Sequence, residues 1–174
     1  MATINNKLKI STALISILFL FSSCSISYKL EGGSINYDLT KTIHIADFPN
    51  RAPLVYSSLS QILEQNLRDR FIEQTRLTPV DNNADIEISG EITQYGIQGM
   101  AVKEDAFSSQ TRLTIAIRVQ YTNNKEPNQD IDQTFTSFRE YDSDVGLDAV
   151  EDKLCRQICE ELVDMIYNAT VANW

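Results

Sequence analysis

Apolar and polar residues alternate with period two in four stretches and recur every third or fourth residue in two others. Leu39, Lys41, Ile43 and Ile45 alternate with Thr40, Thr42 and His44, which predicts a first strand ending at Phe48-Pro49-Asn50. From Pro53 to Thr75 the period lengthens: Val55, Leu59, Ile62, Leu63, Leu67 and Phe71 form one apolar stripe, with Gln61, Glu64, Arg68 and Glu73 opposite. A helix opening at Pro53, about 22 residues and ~33 Å long, follows from that spacing. Ile86, Ile88 and Ile92 then alternate with acidic and hydroxyl residues. Gly90 inside that strand marks a bulge or a close backbone contact, and the shift of the apolar positions to Tyr95 and Ile97 places a bulge near Gly96. Leu113, Ile115, Ile117, Val119 and Tyr121 repeat the pattern, and 129–141 form a further strand around the apolar Ile131, Phe135, Phe138 and Tyr141. A last helix spans 147–170, with Asp148 as cap and Glu151 completing a capping box.

The order is β-α-β-β-β-α, an α+β fold: a mostly antiparallel four-stranded sheet with both long helices on one face. Residues 77–80 allow a further short strand, outside this count of four. The strands of the long hairpin exceed the usual five or six residues, so they should extend past the helices that cover them.

Ahead of this pattern lies a different one. Lys7 and Lys9 precede an apolar run from Ile10 to Phe21, and Ser22 and Ser23 lead to Cys24. That is the layout of a secretory signal, too short to span a bilayer. A cysteine directly after two small residues resembles a bacterial lipobox, which implies removal of 1–23 and acylation of Cys24. Residues 24–38 then read as a lipidated tether and 39–174 as one domain. Two or three acyl chains hold a protein on a membrane almost permanently. With no acidic cluster after Cys24, the resemblance implies an outer-membrane destination facing the periplasm.

The full chain carries 15 basic and 24 acidic residues. The leader takes two of the basic and none of the acidic ones, leaving 13 against 24 and a net charge of −11. That balance excludes a nucleic-acid partner, which wants a basic face. Cys155 and Cys159, four apart on a helix, read as two small buried hydrophobes and not as a bridge. No catalytic set, metal signature or cofactor motif stands out: His44 is the single histidine, and Asp85, Glu87 and Glu91 read as a charged strand face.

Tyr28 and Gly32-Gly33 after the lipobox, the run Ile43 to Asn50, a helix ending Leu67-Arg68-Asp69-Arg70-Phe71 and the run Ala84 to Tyr95 together resemble the LptE family of lipopolysaccharide-assembly lipoproteins. The resemblance implies a plug inside an LptD-like outer-membrane β-barrel that helps the barrel mature and assists lipopolysaccharide to the outer leaflet. It also implies contact with lipopolysaccharide through basic residues. The candidates are Arg112 and Arg118, six apart on one exposed strand face, with Lys103 at the tip and Arg139 on the next strand. The alternative for the arginines is pairing with Glu87 or Glu91 across the sheet. Met100, Val102 and Phe107, apolar in the hairpin tip, are candidates for contact with a protein partner. The competing reading of the whole chain is a periplasm-facing lipoprotein module that docks another envelope protein without a role in lipopolysaccharide transport.

Overall fold

β1 (Thr42–Ile45) leads through an irregular segment to α1 (Leu59–Gln74), followed by β2 (Thr78–Pro79), β3 (Ile86–Gly99) and β4 (Gln110–Asn123). A single 3₁₀ turn at Pro127–Gln129 precedes β5 (Ile131–Asp142) and α2 (Leu147–Thr170). The structure, a computed structural model, describes residues 35–54, 56–100 and 109–171. The signal, Cys24 and most of the tether, together with Val55, Val102, Lys103 and Phe107, lie outside them.

The α+β class and the two helices agree with the sequence, but the sheet does not: it has five strands in the order β2-β1-β3-β4-β5. It is mixed, because β1 runs parallel to both β2 and β3 while β3, β4 and β5 are antiparallel. Parallel pairing follows from α1, a crossover between strands of one sheet. The fifth strand, β2, falls within the short strand allowed at 77–80, which has too few residues to show a period and stands outside the count of four.

Period two governs the long strands. Ile88 faces Tyr121, Gly90 faces Val119 and Ile92 faces Ile117 in register, and all the side chains among them are buried on one face. Both helices cover that face. From α1, Leu59, Ile62, Leu63, Leu67 and Phe71 enter the core, and from α2 come Leu154, Cys155, Ile158, Cys159, Leu162, Val163 and Ile166. The helices touch edge to face at Phe71 and Tyr167, ring centres 5.5 Å apart.

Four local expectations need correction. The first helix starts at Leu59, not Pro53, because the preceding segment pairs with β3 instead: Arg51 N–H donates to Ile92 O and Ile92 N–H to Pro49 O, and Asn50 Oδ1 accepts from Ala52 N–H. The β3 bulge falls between Ile92 and Gln94, not at Gly96, so Tyr95 returns inward while Ile97 is 44% exposed. Phe138 points to the helix-free face and is 46% exposed, since strict alternation from buried Phe135 sends Ser137 and Arg139 inward. Leu39 is exposed and Thr40 buried, because 36–40 form a turn in which Asn36 O accepts from both their N–H groups.

The capping box does not form either. Gly146 is the N-cap, without a side-chain bond, and Glu151 accepts the Tyr95 hydroxyl.

Gly90 shows no register shift, so of its two readings the close contact holds. A Cβ there would lie 2.2 Å from Arg118 O and 2.6 Å from the Phe48 ring. Phe48 is fully buried, and its N–H donates to Glu64 Oε1 of α1 at 2.8 Å.

Candidate functional site

The turn between β4 and β5 sets what the helix-free face presents. Buried Asn123 accepts on Oδ1 from the N–H groups of Lys125 and Glu126, donates its own N–H to Asp130 Oδ1 at 2.8 Å, and holds Gln129 Oε1 through Nδ2. That hub fixes a register in which Arg112 lies opposite Glu140 and Gln120 opposite Asp132.

Arg112 donates to Glu140 Oε1 through Nε (3.1 Å) and Nη2 (2.6 Å), and its guanidinium sits over the Phe138 ring, 4.1 Å from the centre. Arg118 makes a bidentate pair with Asp132, at 2.8 and 2.7 Å. This pair holds the Asp132 carboxyl below its ordinary range and raises the Arg118 guanidinium. The carboxylates that engage both arginines thus come from β5, not from Glu87 or Glu91, although Glu91 is in register with Arg118. Arg118 and Asp132 are 51% and 44% exposed, so water screens the pair and it adds little to stability. A cavity of about 260 Å³ beside it is lined by Ser89, Gly90, Glu91, Arg118 and Gln120.

The two arginines are six residues apart on one strand, roughly 20 Å, too far for one phosphate to bridge. Arg139 is on the other side of the sheet, facing α2, so the described basic candidates do not converge on one face. Met100 is half-buried where its N–H donates to Gln110 O, closing the described part of the hairpin.

The first strand is pinned by a carboxylate that sequence reasoning assigned to a plain charged face. Asp85 Oδ2 accepts from Lys41 N–H (2.8 Å), Thr42 N–H (3.1 Å) and Thr42 Oγ1 (3.0 Å), and Lys125 Nζ is 3.2 Å from Oδ1. Led by the Lys41 N–H bond, these contacts hold its carboxyl at about 2. His44 Nδ1–H donates to Val80 O, tying β1 to the segment after β2. Above this tie a groove of about 660 Å³ opens between β1 and α1, with Arg68 and Ile72 on its helix side.

Cys155 and Cys159 are both fully buried free thiols. Burial pushes them up to about 11 and about 12. Among the described residues no group of three or more His, Cys, Asp or Glu side chains comes together to hold a metal.

Fold and contacts together define a class: a one-sided, helix-backed sheet whose described surface offers polar contact faces. The family follows from the sequence of that same unit. The LptE lipopolysaccharide-assembly family model matches residues 40–170, from two residues before β1 to the end of α2, and the chain belongs to that family. No curated protein matches the chain. Among solved structures it is similar to a minor lipoprotein of Acinetobacter baumannii, at 16% identity over 73% of this chain and 89% of that one, TM-score 0.47. It is also similar to a hypothetical protein of Chlamydia trachomatis (10% identity, 77% and 99% covered, TM-score 0.49). A protein of Xanthomonas campestris shows the same likeness (11% identity, 74% and 84% covered, TM-score 0.48).

Proposed function

We propose that this chain is an outer-membrane lipoprotein, acylated on Cys24, that plugs and helps assemble an LptD-like β-barrel and so assists lipopolysaccharide to the outer leaflet. The observation that carries this reading is the family match across the whole helix-backed sheet. A plug needs a fitting shape and a polar surface, because the lumen of a large barrel is polar. The helix-free face, with its ion pairs and hydroxyls, is supportive of such a role. Among the described residues no helix is long and apolar enough to cross a membrane. In this reading attachment rests on the acyl chains.

Within the same reading, Met100, Val102 and Phe107 at the hairpin tip meet the barrel. Arg112 and Arg118 are the first contacts for lipopolysaccharide, with Lys103 and Arg139 as additions. To grip a phosphate, each described arginine must exchange its carboxylate partner for it.

The test is purification of the full chain from membranes in mild detergent. A large β-barrel in equal amount is expected; a chain that comes away alone overturns the plug.

A further inference from the structure

The two edges of the sheet differ. β2 is two residues long and ends in Pro79, which cannot donate to a new strand. β5 presents twelve residues without a proline. Among the described residues, no backbone group from Ile131 to Tyr141 bonds to another backbone segment except in the ladder with β4. An open edge of this length is a template for pairing with another chain, and natural proteins blunt such edges, among other ways, with an inward-pointing charge.

Arg139 is the one charged residue on the helix side of β5. Its Nη1 donates to the carbonyl of Phe138 at 2.8 Å and to Glu161 Oε2 at 2.5 Å, and its Nη2 to Gln157 O at 3.3 Å. Ser137 Oγ donates to the same Glu161 oxygen at 2.7 Å, so the carboxylate is held from two sides. The guanidinium therefore spans from the edge strand to α2, across a groove of about 470 Å³ lined by β5 from Thr136 to Glu140 and by Glu161 and Met165. Arg139 and Glu161 are 35% and 42% exposed, a setting in which an ion pair contributes little to stability. What remains is its position.

We propose that Arg139 guards the β5 edge, keeping a second copy of this chain from adding its own β5 there. A pairing strand must approach to ~4.8 Å along the edge and use its carbonyls. The clamped guanidinium stands in that approach and already uses the Phe138 carbonyl. Without it, two identical edges can pair antiparallel about a two-fold axis.

The test is light scattering of the full chain, made in cells without the barrel partner and held in mild detergent, over a tenfold range of concentration, beside a circular-dichroism check of the fold. Wild type is expected to hold one chain per particle. Arg139→Ala is expected to keep its fold and gain about twofold in protein mass as concentration rises. A folded Arg139→Ala that stays single at every concentration overturns the proposal, as does a wild type that associates equally. Should Arg139→Ala lose its fold, the readout passes to Arg139→Met, which keeps an aliphatic stem in the groove and removes the donors that hold the Phe138 carbonyl. The same growth in mass is expected there, and a folded Arg139→Met that stays single overturns the guard.

Discussion

Asp85 is the residue on which the entry of the chain into the sheet depends. Its carboxyl stands at about 2 in the fold against an ordinary 3.8, so the unfolded chain takes up the proton first as pH falls. Its contribution is therefore complete above the ordinary value, on the order of 2 kcal/mol, and is lost as pH drops toward the folded one. Urea midpoints at about pH 6 and about pH 3 should show a fall for wild type and a shallower one for Asp85→Asn. Equal slopes would remove Asp85 from that role. Gly90 carries a different constraint: Gly90→Ala drives a methyl into the Arg118 carbonyl and the Phe48 ring. Overpacking of this kind should lower stability by about 1–3 kcal/mol, measured by the same unfolding curves. A change under ~0.5 kcal/mol would mean that Phe48 does not rest on Gly90. For the arginines, reversal of both Arg112 and Arg118 to glutamate should weaken capture on immobilised lipopolysaccharide. Undiminished capture would take them out of the contact set.

At the scale of elements, α2 brings both thiols into the core, and their burial makes a direct test of its packing. Because the thiolate is the reactive form, thiols held at about 11 and about 12 should resist alkylation at about pH 8 in the native chain. Mass spectrometry should find Cys155 and Cys159 unlabelled until denaturant is added; fast native labelling of either would show α2 to be loose on the sheet. The helices and the three long strands were legible because each spans several periods. The bounds of α2 agree with its periodicity, but the start of α1 and the place of the β3 bulge do not. The start of α1 is set by 49–52 pairing with β3, and the bulge beside Thr93 by a register that forms only against β4. Phe138 looked like core because it is aromatic, yet position parity on β5 already assigned it to the other face.

For the whole molecule, the sequence carried the class and the family but not the arrangement of the candidate site. The ion pairs of Arg112 and Arg118 depend on the register that the buried Asn123 hub imposes, and no local pattern shows that register. The separation of Arg139 from the other two depends on the β5 register, which sets it opposite buried Leu113 on the helix side. The strong net negative charge of the whole chain likewise hides that the cations of the helix-free face are already engaged. The central claim is that this helix-backed sheet works in delivering lipopolysaccharide to the cell surface. The most direct measurement is the amount of newly made lipopolysaccharide that reaches the outer leaflet in cells depleted of the chain. The expected result is a fall that wild-type chain restores; delivery that continues unchanged after depletion would contradict the claim.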